Sequence, residues 1–317
     1  MKAAQITGFG APDVLQINDV DRPAPGAGEV LISVEASSVN GLDTIVRAGG
    51  LRIVTGHRFP IGVGLDFAGV VATTGADVPQ YQVGDRVWGT VHPLKRHTLG
   101  GAAEYVVVPA DRIGLAPADV SPVEAASLVV AGTTALIALR DTLHLTSGER
   151  LLVRGAAGGV GTAAVQLAHA MGGHVTALSR GRHAGALREL GADEVFDYGA
   201  TTPEQLGPFD VILDTVGSEL HSYRRRMTRE GRMATIALSV SSMAAIAASS
   251  VHGGRRIRTL SANPGSALLR DLADYVTSGG LRPVIDSVYP LADIASAHQA
   301  FARGGAVGKH VVAVSGE

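Results

Sequence analysis

Between residues 2 and 119 the hydrophobic positions alternate with polar ones over short stretches, and glycine and proline interrupt them repeatedly. Stretches 2–6, 29–36, 69–72, 86–88 and 103–108 carry the two-residue period of half-buried strands, and Pro23, Pro25, Gly26 and Gly28 mark turns. One helical pattern breaks this texture just after Asn40, where Leu42, Ile45 and Val46 recur at the spacing of one helix face. The pattern predicts a mainly antiparallel β domain with few helices.

The period changes at Ser121. Ser121-Pro122-Val123-Glu124 supplies an N-cap, a proline at the first helical position and an acid in the first turn. Beyond it, strand-like runs at 151–153, 175–178, 194–196, 211–213, 233–237 and 256–260 are separated by helix-length segments, among them 160–171 and 184–190. Strands separated by helices predict a doubly wound parallel sheet with right-handed crossovers. Segment 239–251, rich in Ser, Ala and Met, is expected as a helix packing its small residues. From about residue 281 the chain returns to β-like runs, 285–289 and 309–314, around a helix at 294–301. The predicted organisation is a catalytic β domain at 1–120, a nucleotide-binding domain at 121–275 and a return to the first domain at 276–317, with a cleft between the two.

Composition narrows the chemistry. A length of 317 residues suits two cores, and a formal net charge of -2 gives no reason to expect nucleic acid or an anionic membrane as a partner. The basic run Arg224-Arg225-Arg226, continued by Arg229, Glu230 and Arg232, reads as a solvated helix face. No basic start leads into a long apolar stretch, and the apolar run 243–251 is too short to span a bilayer, so a cytoplasmic protein is expected. The chain has no cysteine, which removes disulfides, thiolate nucleophiles and cysteine-ligated zinc.

The candidate chemistry centres on Ala156-Ala157-Gly158-Gly159-Val160-Gly161, which follows the strand-like run 151–153 and opens a helical pattern. Small residues there allow a pyrophosphate to approach the backbone, and the first-turn N–H groups of the helix bind its charge. The G-x-G-x-x-G spacing begins here with alanine, and its strand-turn-helix context points to a dinucleotide. Sites preferring NAD place a carboxylate after the second strand, but here the chain reads Ser179-Arg180-Gly181-Arg182-His183. A hydroxyl and two guanidiniums suit the 2′-phosphate of NADPH, with Arg180 first, Arg182 second and His183 assisting when protonated.

Motifs along the whole chain carry a family resemblance: Val39-Asn40-Gly41-Leu42-Asp43, Gly64 through Val71, Gly84-Asp85-Arg86-Val87, Gly101 through Tyr105, Ala131 through Ala135, Gly155 through Gly161, and Gly305 through Lys309. Their order resembles the medium-chain dehydrogenase/reductase superfamily and, within it, the zinc-free quinone oxidoreductases related to zeta-crystallin. The resemblance implies an α/β protein with a GroES-like β domain and a Rossmann domain, NADPH as cofactor and a homodimer formed through the edge strand at 256–260. Zinc-dependent members carry a cysteine where this chain has Asn40 and a histidine where it has Leu65. A leucine has no donor atom and an amide is a poor zinc ligand, so no metal is expected.

The candidate catalytic residues are then Asn40, whose amide would donate to an acceptor oxygen, Asp43, read as mainly structural, and Thr133, matched to a threonine near the nicotinamide. The candidate cofactor-binding residues are Ala156, Ala157, Gly158, Gly159, Val160, Gly161, Ser179, Arg180, Arg182, Asn263 and Lys309. A tyrosine common in close relatives just past Asp43 is absent, since the chain reads Thr44-Ile45-Val46-Arg47. That leaves water, a ribose-linked relay, Lys95 or His92 as sources of the second proton; the pair His92 and His97 reads as surface histidines. Without a Lewis acid, the expected reaction is NADPH-dependent reduction of a small-molecule quinone or α,β-unsaturated ketone. An enoyl-thioester reductase of the same fold and a non-catalytic, crystallin-like NADPH-binding protein are the alternatives.

Overall fold

The alternation near residue 30 extends in space to the strand Glu29–Ser38, which organises a seven-stranded sheet. The computed structural model of the chain describes residues 1–56, 58–91, 99–237, 239–251, 255–260 and 263–314. Across the sheet the strands run Ile285–Pro290, Lys309–Ala313, Glu29–Ser38, Asp66–Thr74, Arg86–Thr90 and Ile113–Leu115, and Tyr105–Pro109 also pairs with Glu29–Ser38. A smaller sheet joins Leu15–Asp19, Lys2–Ile6 and Ile61–Gly62. Ile32, Val34, Phe67, Val87, Val106 and Ile113 fill the core of this unit. Each such side chain contributes on the order of 1.5–3 kcal/mol on burial.

The last strand has the consequence that matters for chemistry. Lys309–Ala313 pairs antiparallel with Glu29–Ser38, with Val311 opposite Ser38 and Val312 opposite Ser37. The ladder continues as Val39 N–H donates to His310 O at 3.0 Å. This register carries Lys309 to the level of Asn40, across almost the whole length of the chain.

Two compact units result: Met1–Val130 with Pro264–Thr277 and Pro283–Glu317, and Ala131–Asn263 with Ser278–Arg282. These limits differ from the sequence-based boundaries after 120 and 275. The helix Pro122–Leu136 runs through the first division, and the helix Ser266–Thr277 belongs with the β unit. Ser266–Thr277 buries Leu269 and Leu272, and Leu269 packs where Gly114 has no side chain. With its π-helical continuation, the stretch Pro122–Thr142 is long and apolar enough to cross a bilayer, but 72% of its apolar window is buried in the protein, as in a core helix.

The second unit is a six-stranded parallel sheet in the spatial order Glu194–Asp197, His174–Ser179, Arg150–Arg154, Phe209–Asp214, Met227–Thr235 and Ile257–Thr259. Ranked by chain order this is the 3-2-1-4-5-6 arrangement of the Rossmann fold, and the order reverses between Arg150–Arg154 and Phe209–Asp214. The helix Gly159–Ala170 buries Ala164, Val165, Leu167 and Ala168.

The basic run is where the helix expectation fails. The helix Leu220–Arg224 ends inside it, and Arg229, Glu230 and Arg232 lie in the strand Met227–Thr235. Gly231, Met233 and Thr235 are buried at the two-residue period of a strand, a signal that the helical spacing of the arginines obscured. The segment after Ser239 does form a helix, Val240–Val251. Ser239 and Ser242 cap it reciprocally: Ser239 N–H donates to Ser242 Oγ at 2.8 Å, and Ser242 N–H to Ser239 Oγ at 3.1 Å.

Candidate functional site

In the second unit the glycine turn joins the first parallel strand to its helix. Gly155 adopts φ of 71°, and a Cβ there would lie 2.2 Å from Thr215 Oγ1. At Gly161 a Cβ would lie 2.2 Å from Gly155 O, so only glycine lets the helix approach the turn this closely. Gly158 is the N-cap, exposed and without a side chain, and a Cβ there would meet only Gly155 O at 3.6 Å. No side chain caps the first-turn amides, so they present partial positive charge to an incoming anion. Ala156 and Ala157 are buried, while Gly159 and Val160 are half-buried. This open cradle, whose first-turn amides have no side-chain cap among the described residues, fits a pyrophosphate.

The loop after the second strand is more organised than its sequence suggests. Arg182 Nε donates to His183 Nε2 at 3.0 Å, so that nitrogen is an acceptor and the ring proton sits on Nδ1, 3.1 Å from Ser179 Oγ. Both ring nitrogens of His183 are thus engaged in its neutral form. The expectation that a protonated His183 assists phosphate binding is corrected; it braces Ser179 and Arg182 instead. Arg180 is exposed, and its Nε donates to Tyr198 Oη at 2.8 Å. Among the described residues its two terminal nitrogens have no protein partner. Sequence reasoning missed Tyr198, although the parallel register that sets Ser179 beside Asp197 brings the next residues, Arg180 and Tyr198, together. Asn263 is exposed beyond the last strand, and Thr133 is fully buried within the helix Pro122–Leu136.

In the first unit the Asn40 segment closes a buried polar cluster. Asn40 is the N-cap of the helix Gly41–Arg47, and its N–H donates to Asp43 Oδ2 at 2.9 Å. Its amide Nδ2 donates to Ser38 O and to Asp66 Oδ2, both at 3.1 Å. Ser38 N–H and Ser38 Oγ donate to Asp66 at 2.8 and 2.7 Å. Lys309 Nζ donates to Val39 O and Asn40 Oδ1, both at 2.7 Å. Burial and the neighbouring Asp66 raise the Asp43 carboxyl to about 7, and burial lowers Lys309 from its ordinary value.

Two sequence-based roles change here. Both Asn40 amide hydrogens are spent on Ser38 and Asp66, so the side chain is a hub of this cluster and not a donor to an acceptor oxygen. Lys309 was expected on the cofactor, but its ammonium is buried and committed to Val39 and Asn40. Asp43 stands next to Asn40 as expected. The proposed proton sources Lys95 and His92, and His97, lie outside the described residues.

A GroES-like β unit with a discontinuous chain and a Rossmann sheet with an uncapped glycine turn define a dehydrogenase/reductase. Comparison with known families agrees: residues 26–118 match the alcohol dehydrogenase GroES-like domain, and residues 190–312 match a family described as zinc-binding dehydrogenase. The chain is 33% identical to the mitochondrial NAD(P)H oxidoreductase RTN4IP1 of Mus musculus, over 90% of this chain and 82% of that protein. It is also 33% identical to the chloroplastic quinone-oxidoreductase QR1 of Triphysaria versicolor, over 98% of each. A solved quinone oxidoreductase from Coxiella burnetii superposes with a TM-score of 0.91 at 30% identity, covering 99% of both chains. The chain belongs to the medium-chain dehydrogenase/reductase superfamily, as an oxidoreductase of its zinc-free quinone oxidoreductase branch. The same comparison overturns the cytoplasmic expectation: relatives this similar are mitochondrial or chloroplastic, so composition did not identify a compartment.

Proposed function

We propose that this chain transfers hydride from NADPH to a quinone or an α,β-unsaturated ketone without a metal ion. The observation that carries the reading is Arg180, an exposed guanidinium held by Tyr198 at the end of the second parallel strand. The 179–183 loop offers no carboxylate to ribose hydroxyls, and a guanidinium with unpartnered terminal nitrogens suits a 2′-phosphate. The names of the RTN4IP1 and QR1 relatives support a nicotinamide cofactor and a quinone acceptor.

When bound, NADPH supplies a hydride that adds to a conjugated acceptor, whose oxygen takes up the charge. The chain's own residues do the rest. The amides of the glycine turn would hold the pyrophosphate, and Arg180 would pair with the 2′-phosphate. Leu65 supplies no donor atom for a metal, which favours conjugated acceptors over simple carbonyls that need a Lewis acid. The strand Ile257–Thr259 ends the parallel sheet with Arg258 and Thr259 exposed, and the reading includes pairing of this edge with a second copy.

Purified chain mixed with NADPH or NADH, then with p-benzoquinone or an unsaturated ketone, tests the reading. Rapid NADPH oxidation with either acceptor, slower with NADH, is the expected result. Tight NADPH binding with no turnover on either acceptor would overturn it in favour of a binding protein. Turnover confined to a crotonyl thioester would overturn the acceptor assignment.

A further inference from the structure

The Asn40 cluster encloses two carboxylates and one ammonium, so it carries an excess negative charge when all three are ionised. Asp66 accepts three hydrogen bonds, from Ser38 N–H, Ser38 Oγ and Asn40 Nδ2. Asp43 is also buried, and it accepts from the Asn40 backbone N–H. Other charged groups on the packed elements are committed elsewhere. Arg47, on the Asp43 helix, donates to Gly10 O and lies against His298. His310, on the Lys309 strand, meets Ser287 Oγ at 2.7 Å and Asp286 at 3.6 Å.

The orientation of the Asn40 amide follows from its neighbours. Flipped, it would turn its NH2 toward the Lys309 ammonium and its carbonyl oxygen toward the Asp66 carboxylate, and both contacts would be repulsive. Lys309 reaches this place through strand register, and no cation from another described element faces the cluster.

We propose that Lys309 is a positioning residue of the Asn40 site: its ammonium fixes which way the Asn40 amide faces and leaves the cluster one exchangeable proton, carried by Asp43. Burial and the Asp66 charge hold that proton on Asp43 up to about neutral pH, while the Lys309 charge opposes them. The consequence for turnover rests on the proposed quinone or enone reduction. Loss of the proton adds a buried negative charge, whose field raises the cost of the negative charge that reduction develops on the acceptor.

Infrared titration of the purified chain without added nucleotide tests the proton directly. The wild type should show a neutral carboxylic acid signal below pH 7, lost with a midpoint near about 7. Asp43→Asn should abolish that signal. Lys309→Met should move the midpoint up by a pH unit or more, because the ionised form loses its counter-charge. If Lys309→Met does not fold, Asp66→Asn serves in its place and should move the midpoint down. A signal that persists in Asp43→Asn, or a midpoint that neither neighbour moves, overturns the proposal. A pH profile of p-benzoquinone reduction, expected to fall above the same midpoint, reads the effect on turnover. No turnover at all in the wild type would sink the functional reading and leave the infrared result to judge Lys309.

Discussion

Arg154 and Asp214 form an ion pair sealed from solvent at the carboxyl ends of two adjacent parallel strands. The strand order reverses between these strands, so the pair lies beneath the turn that begins at Gly155. Arg154 also donates to Ser218 O at 2.7 Å and stacks 3.7 Å over the Tyr223 ring. Asp214 accepts from Thr235 Oγ1 at 2.7 Å and from Gly217 N–H at 2.8 Å. A buried pair contributes little net energy compared with apolar packing, but removing one partner strands the other charge. Arg154→Met should therefore cost roughly 3–5 kcal/mol in urea unfolding followed by circular dichroism. A loss below about 1 kcal/mol would mean that water reaches Asp214 and the pair is not sealed.

Arg180 and Tyr198 make the cofactor preference testable without touching the turn. A charge-assisted hydrogen bond is worth about 1.5–3 kcal/mol, so Arg180→Ala should raise the KM for NADPH about tenfold or more. The KM for NADH should hardly change, because NADH has no 2′-phosphate to lose. Tyr198→Phe removes the hydroxyl that orients the guanidinium, and should shift NADPH in the same direction by less. Equal losses for both cofactors would show that Arg180 supports the loop and not a phosphate.

The glycine turn, the two textures of the chain and the returning tail strands were legible because each rests on local periodicity or on residues with special backbone freedom. What was not legible depends on pairing over long separations. Nothing near Asn40 announces a partner 269 residues away, and only the register of Val311 with Ser38 reveals it. Without that partner, Asn40 read as a donor with spare hydrogens and Lys309 as a cation seeking phosphate. Tyr198 was missed for a related reason, since it reaches Arg180 through the parallel pairing of two strands. Arg224 to Arg232 failed differently. There the charges repeated at helical spacing while the buried Gly231 and Met233 followed the strand.

Gly161 offers a test of close approach. Its missing Cβ leaves room for Gly155 O, which a methyl group would meet at 2.2 Å, with the Ala156 backbone at 2.7 Å; backbone atoms give way less easily than a flexible side chain. Gly161→Ala should push the helix away from the turn and cost roughly 1–3 kcal/mol of stability. It should weaken NADPH binding at least tenfold in a fluorescence titration, because the first-turn amides move with the helix. Gly158→Ala should be far milder in stability, since its Cβ meets only Gly155 O at 3.6 Å. Equal behaviour of the two variants would contradict the packing argument.

His298 should make the β unit sensitive to acid. It is 1% exposed, its Nδ1 has no hydrogen-bond partner among the described residues, and burial together with the Arg47 charge lowers it from 6.5 to about 4. The unfolded chain therefore binds a proton on this residue more readily than the folded chain does. Its contribution is fully present above pH 6.5 and is lost as pH falls toward 4, an effect of roughly 3 kcal/mol. Asp43 acts with the opposite sign: its raised value means the folded chain holds the extra proton, so stability falls as pH rises from about 4 to about 7. The wild-type profile mixes the two, and a variant separates them. His298→Gln should gain on the wild type by roughly 3 kcal/mol as pH drops from 7 to 4, read from urea unfolding followed by emission of the buried Trp88. A constant offset between the two proteins across that range would show that His298 keeps its ordinary affinity for protons in the folded chain.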